Sequence, residues 1–504
     1  MTTVRNIAAK VEIDWDFDGT ETDESDSIIS ARGQMAYAAP GESILGGGSI
    51  VSRASVELKN NEGRYSVMKS AGPLYADIAG GQMYKMPIIV WASIDGGSNY
   101  FEIFTGVMKI PNNGTVSPKV IRKLPLDCRG NEERILNHRT STPRTDFVAY
   151  HDDGMTEADL IYDVLVNQVG LNPSEVVIDD GLTIIPWFWA EDASPIEVCW
   201  KLAQAAGGRF YCRHDGRFTY ENATHWLLNS RSTISQQTYE RADLADFSLY
   251  YSDTELASKV IANATLYELQ PSEELWSAKE VITLAPGEST TIIATFSNPA
   301  YEIVSVTYSA VTPGGFDLSA DLTIVQTHYA QSCEFELTND NTTLQMNIEN
   351  LIVTGRALSN GEDLKVEKES TATFWTQINR SGASFVRTIS NDLVQEREQA
   401  EMLRDFTLGR QEVPQLCYRF TTPGNPERRL GDRITLYDSA LMDAARDAFI
   451  ISIDWSLTGL KYTQIITAVD VEGTYPYVDT SPGYFVIGAS KLGAADPDRG
   501  RLFY

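Results

Sequence analysis

The chain reads as mainly β with α+β, and three observations predict this. Apolar and polar residues alternate at period two through most of the sequence. Turns rich in Gly, Asn and Pro punctuate these runs. Helical spacing is confined to windows near 155–169, 195–206 and 391–406. At 504 residues the chain has room for roughly two to four domains, each with its own core.

Residues 1–135 form the first unit and are mostly strand. Val11, Ile13, Trp15 and Phe17 alternate with polar residues, 50–58 does so again, and 88–94 and 101–110 are further strands. An Asn60-Asn61-Glu62-Gly63 turn closes the strand in SRASVELKNNEGRYS. Residues 136–240 form a mixed α+β unit. Thr156 suits a cap for a helix over 155–169, where Leu160, Ile161, Val164, Leu165 and Gln168 share a face and Gly170 follows the end. Residues 182–189 are an apolar run. Next, Ser194 suits an N-cap, Pro195 the first helical position and Glu197 a capping box. Ile196, Cys199, Leu202 and Ala206 recur on one face until Gly207-Gly208 stops the helix. Residues 209–213 and 217–220 then flank the His214-Asp215-Gly216 turn of a hairpin.

A third unit comprises 241–268 and 357–478, interrupted by 269–356. It opens with two strand signals in 244–266. The interruption is dense in Thr, Ser, Val and Ile, with turns at Pro286-Gly287 and Pro313-Gly314-Gly315, the pattern of a small β-sandwich. A helix over 391–406 turns Leu393, Ala400, Leu403 and Phe406 inward. Four strands follow, at 415–420, 429–437, 449–457 and 461–469, the last two joined through Thr458-Gly459-Leu460. Residues 479–504 have aromatics but no periodicity, and read either as an arm that docks on a neighbour or as disordered chain.

Composition narrows the function. Apolar residues make up 42% and charged residues 22%, ordinary for a globular protein. No stretch approaches the ~20 apolar residues of a membrane helix. The opening MTTVRNIAAKVEIDWD lacks the apolar region of a secretory signal, so synthesis and folding in a cytoplasm are expected. Five scattered cysteines without CxxC spacing argue against a disulfide framework or zinc site. The net charge of -28 argues against nucleic-acid binding. It fits a wall that repels phosphate as DNA slides past, or an acidic surface that only keeps the protein soluble.

Three segments, in order, resemble the tail hub proteins of tailed bacteriophages. They are Ala31-Arg32-Gly33 with SRASVELKNNEGRYS and FEIFTGVMKI, the capped helix running into GGRFYCRHDGRF, and RLGDRITLYD with AFIISIDWSLTGLKYTQIITAV. Within 269–356, the order APGES, TIIATF, CEFELTND, LIVTGRAL is similar to immunoglobulin-like insertions of some hubs. The cysteine pair and tryptophan spacing of antibody domains are missing. The resemblance implies two tube-like β-barrels, formed by 1–135 and by 241–268 with 357–478, around the α+β domain and an inserted immunoglobulin-like β-sandwich. It also implies a non-enzymatic virion component of a tail tip or baseplate, a homotrimer whose six barrels adapt a sixfold tail tube to a threefold tip. Implied partners are the distal tail protein ring, the tail tube, a central fibre or tip protein and the tape measure protein, with DNA passing through the lumen unbound. A phage-derived injection device or gene-transfer particle would use the same hub physics. No cofactor is implied.

Candidate chemistry is sparse. Asp14-Trp15-Asp16-Phe17-Asp18-Gly19 starts like a calcium loop, with carboxylates at alternate positions and glycine sixth, but Ser25 stands at the twelfth position and the setting is β-rich. Asp14, Asp16 and Asp18 are therefore metal candidates, with Asp23, Glu24 or Asp26 to complete an oxygen cage; the other reading is an acidic turn. Trp187 and Trp189 fit a sugar-stacking platform, as in a host-glycan-binding or depolymerising surface protein, or buried core between barrel and helix. His138, His151, His214, His225 and His328 show no metal-ligand spacing, and His151-Asp152-Asp153 reads as loop solvation. HExxH, GxSxG and phosphate-loop motifs do not occur.

Overall fold

The computed structural model describes residues 5–37, 51–60, 63–66, 69–75, 85–109, 123–142, 148–149, 155–252, 256–372, 375 and 385–471. His151-Asp152-Asp153, Asn61 and Glu62 of the 60–63 turn, and the segment 479–504 lie outside them. Among the described residues the fold is mostly β, with 50% strand and 17% helix.

The first unit contributes β1 (Ala8–Ile13), β2 (Thr22–Asp23), β3 (Ile28–Ala36), β4 (Arg53–Lys59), β5 (Met86–Ser93), β6 (Phe101–Met108) and β7 (Lys123–Gly130). Period-two patterning builds them: Ala54, Val56 and Leu58 point into the core from β4, as do Met86, Ile88, Val90 and Ala92 from β5. Strand β1 ends earlier than its alternation suggests. Trp15 stays buried, stacked on Tyr65, but Phe17 swings outward with φ 58.

The α+β unit holds β8 (Val148–Ala149), β9 (Met155–Thr156), α1 (Glu157–Tyr162), β10 (Val176–Ile178), β11 (Ile184–Ile185), β12 (Trp187–Phe188), α2 (Pro195–Ala205), β13 (Arg209–Cys212), β14 (Phe218–Glu221) and β15 (Gln237–Glu240). Thr156 caps α1 in a complete capping box with Asp159, and the helix widens to a π-type turn over Asp163–Gln168. In α2 the expected face is buried, with Ile196, Cys199, Leu202 and Ala206 inward. The expected Ser194–Glu197 box does not form: the Ser194 hydroxyl donates to the Leu136 carbonyl (3.4 Å), a tertiary partner in place of the local one. Strands β13 and β14 pair as the predicted hairpin, and β10 adds in parallel to β14.

The remaining strands are β16 (Ala245–Ser252), β17 (Lys259–Leu269), β18 (Glu273–Ser277), β19 (Ile282–Leu284), β20 (Ser289–Thr295), β21 (Ala300–Val311), β22 (Leu322–His328), β23 (Ser332–Asn339), β24 (Met346–Glu369), β25 (Val386–Ser390), β26 (Gln415–Pro423), β27 (Arg433–Tyr437), β28 (Arg446–Thr458) and β29 (Lys461–Asp470). The sheet β20-β23-β22 faces the sheet of β18, β19, β21 and the first part of β24 over one core, which includes Leu284, Phe335, Leu337, Ile348 and Val353. Strand β24 does not stop at 356. It leaves the insertion and pairs with β17 from Leu358 to Glu369.

Helix α3 (Arg397–Gln411) starts and ends later than the expected 391–406. Side-chain bonds to α2 and β12 hold the preceding residues in a turn. The Asn391 amide donates to the Lys201 carbonyl (2.8 Å) while its oxygen accepts from Leu393 N, and Gln395 clasps both backbone groups of Trp187. Leu393, Ala400 and Leu403 are buried as expected; Phe406 is half-buried.

Most of the strands expected to form two barrels lie in one open sheet of 13 strands, in the order β16-β26-β29-β28-β3-β4-β7-β6-β5-β1-β2, with β27 and β15 branching from β28. Strands β17, β25 and the second part of β24, expected in the second barrel, pair in a separate sheet. Among the described residues no sheet closes on itself.

Candidate functional sites: the seam of the large sheet, a buried joint and an acidic loop

The seam is the pairing of β3 with β28. A bulge between Ile450 and Ser452 divides β28: Arg446 to Phe449 pair with β27, whereas Ser452 to Thr458 pair antiparallel with β3. Each half also enters the other's core. Trp455, Leu457 and Tyr462 pack among the first half's buried residues, and Met35 and Tyr37 among those of the second. Gly33 lies opposite Trp455, and a Cβ there would stand 2.4 Å from the indole Cζ2. On the surface above, a groove of about 410 Å³ is lined by Arg32, Gln34, Arg53, Asp127, Asp454 and Ser456, mixing both signs of charge. Burial raises the Asp454 carboxyl above its ordinary range.

Behind the seam is a buried ionic joint. The Glu221 carboxylate accepts from the hydroxyls of Tyr211 (2.7 Å) and Tyr37 (3.1 Å) and pairs with Arg209 (3.4 Å). The Arg209 guanidinium lies 4.0 Å from the centre of the Trp226 ring. Burial, followed by the charge of Glu221, pushes both tyrosine hydroxyls well up. His225 sits between Asp179 (2.6 Å) and Glu221 (3.5 Å). Burial works against its charged form, yet these two carboxylates outweigh that and raise its pKa. This cluster ties the end of β3, the β13–β14 hairpin and the short helix His225–Leu228 together. The sequence held no local signal for it, because its members come from separate elements.

The tryptophans proposed as a platform are both half-buried and pack against one small apolar cluster. Trp187 meets Tyr301 edge-on (6.0 Å) and Trp189 meets Tyr267 edge-on (5.3 Å), with Ala330 and Leu358 beneath. They form packing at the base of the insertion, a different place from the barrel–helix core the apolar run suggested. All five cysteines are buried and none is in a disulfide, and burial pushes the thiols of Cys128 and Cys199 upward.

The acidic loop joins β1 to β2. Oxygens of Asp14, Asp16 and Asp18 lie within 4.8 Å of one another, the one such group among the described residues. Asp14 is only 5% exposed; one oxygen accepts from Gly19 N (3.2 Å), and the other, Oδ1, has no hydrogen-bond partner. Of the three residues offered to complete a cage, Glu24 is already engaged. It accepts from Trp15 Nε1 (3.0 Å), from both Arg64 terminal nitrogens (2.9 and 2.8 Å) and from the Tyr65 hydroxyl (2.5 Å). Asp23 accepts from Ser25, which holds its carboxyl below its ordinary range, and Asp26 lies outside the trio.

A further ionisable group escaped sequence reading. Glu132 is buried behind β7, takes one bond from Cys212 N (3.3 Å), and is pushed up to about 8 by burial.

No family model matches the chain, and no curated protein matches it. Solved structures do. A tail protein from Neisseria meningitidis aligns over 94% of this chain and 98% of its own, at 9% identity and a TM-score of 0.50. A 43 kDa tail protein of prophage MuSo2 from Shewanella oneidensis aligns over 92% and 99%, at 11% identity and a TM-score of 0.47. A type VI secretion component of E. coli, described as structurally similar to T4 bacteriophage tail proteins, aligns over 92% and 76%, at 8% identity and a TM-score of 0.42. The resemblance seen in the sequence is met in three dimensions: over 94% of its length, this chain aligns with the fold of the Neisseria tail protein.

Proposed function

We propose that the chain is a structural hub of a bacteriophage-type tail tip or baseplate, acting as a homotrimeric ring. The observation that carries this is the seam. Two halves of one chain share a continuous sheet and exchange core residues, so a subunit offers two laterally joined curved units as one piece. The terminal strands of that sheet, β16 and β2, pair on one side only among the described residues. Three copies joined end to end give six such units around a channel, a tube-like ring that matches sixfold symmetry on one side and threefold on the other. The barrels implied by the sequence then complete themselves between subunits rather than within one chain. The net charge of -28 keeps phosphate from adhering as DNA passes. Distal tail, tube, tape measure and fibre or tip proteins are the partners this role requires, and the inserted sandwich lies outside the ring.

Mass measurement of the purified chain tests the reading. A trimer that appears in images as a six-lobed ring is expected. A chain that stays monomeric at tens of micromolar, alone and with tail-tube protein, refutes it.

A further inference from the structure

We propose that the loop from Asp14 to Gly19 is a calcium site, with Asp14, Asp16 and Asp18 as its protein ligands. The inference is independent of the hub reading. Two observations carry it. Three carboxylates converge within 4.8 Å, an arrangement whose mutual repulsion a bound cation would relieve. Separately, Asp14 is nine-tenths buried and its Oδ1 meets no donor, although a buried carboxylate oxygen is costly without a hydrogen bond or a metal. Its other oxygen is fixed by Gly19 N, which turns this carboxylate into the loop. The basic side chains of this edge do not supply the missing charge: Lys10 pairs with Glu12 and Arg64 with Glu24.

The donor set selects the ion. All three ligands are hard oxygens, without the nitrogen or sulfur that zinc and copper prefer. Asp16 and Asp18 are exposed, so water and backbone carbonyls must complete the shell, which suits the variable coordination of calcium better than the strict octahedron of magnesium. The site is not an EF-hand. Strands flank it, and the twelfth position is Ser25, whose hydroxyl is engaged with Asp23 and with Val11 N. Lacking a bidentate glutamate, it belongs with weak sites of roughly 10⁻⁴–10⁻³ M dissociation constant. Occupancy would fix the β1–β2 connection at one end of the large sheet.

The test uses the full chain stripped with chelator. Terbium is titrated while tryptophan is excited, since Trp15 lies between two of the ligands in sequence, and calcium or magnesium is then added in competition. Saturable terbium emission that calcium displaces, and magnesium at equal concentration does not, is expected. Asp16→Asn and Asp18→Asn, at exposed positions that leave the fold alone, should each weaken calcium binding by about tenfold. Asp14→Asn should weaken it further; if that variant does not fold, the two exposed variants still decide. Absence of saturable emission, or binding unchanged in Asp16→Asn and Asp18→Asn, overturns the site. Equal displacement by magnesium overturns its assignment to calcium.

Discussion

Gly33→Ala puts a methyl group where two neighbours already stand. Its Cβ would lie 2.4 Å from Trp455 Cζ2 and 2.7 Å from the Arg53 carbonyl oxygen. That carbonyl belongs to β4, held in register with β3 by the ladder from Ile28 to Gln34, and cannot retreat alone. The indole is 3% exposed and wedged into the first half's core, so it can move only by opening the seam. Overpacking a tight interior costs typically ~1–3 kcal/mol, and with two stiff neighbours the upper end, about 3 kcal/mol, is expected. Trp455→Leu alone should cost ~3 kcal/mol through the cavity it leaves. If the clash is the cause, the double variant must be less destabilised than the sum of the two by at least about 1 kcal/mol. Urea unfolding followed by circular dichroism measures all four corners of the cycle, and light scattering reports whether assembly falls in step. Strict additivity, or a Gly33→Ala chain within ~0.5 kcal/mol of the parent, would refute the claim that close approach at this seam unites the halves.

Three further outcomes follow from individual side chains. Glu132 has its pKa raised by burial, so the stability it permits is full below about 4.5 and is lost as pH rises towards about 8; Glu132→Gln should flatten that loss, by an amount on the order of several kcal/mol, in melting curves taken from pH 5 to 9. Thr156→Ala removes one half of a complete capping box and should cost ~1 kcal/mol by chemical denaturation, whereas Ser194→Ala, lacking that bond, should cost less. Glu24→Ala strands the Trp15, Tyr65 and Arg64 donors and should cost ~3 kcal/mol, read as a lowered urea midpoint.

Strand positions were legible in β4, β5 and β29, where one buried face marks every second residue at period two, although β7, which alternates in the same way, was not singled out. The apolar stripe of α2 was legible for the same reason at helical period. Strand order was not. Alternation shows that Trp455 and Leu457 point inward, but not that their neighbour is β3, more than 400 residues earlier in the chain. Local signals also failed where a distant partner outbid a near one. Ser194 turned to Leu136, and Asn391 and Gln395 turned to α2 and β12, which delayed α3 by six residues. At the acidic loop the trio itself was visible in the spacing of Asp14, Asp16 and Asp18. Glu24 looked equally available, since Arg64 and Tyr65, which occupy it, lie 40 and 41 residues away.

Strand β24 has a mechanical consequence. Beyond Asn350, whose φ of 54 marks a kink, it runs from Leu351 to Glu369 across the boundary between insertion and body, a span of roughly 60 Å. A pull on the insertion therefore meets no slack tether. It arrives as shear along the β17–β24 ladder, where many backbone bonds must yield together rather than unzip one by one. Such an attachment behaves as a stiff lever, so a load caught by the insertion would be delivered to the body of the molecule as torque, with little of it absorbed on the way.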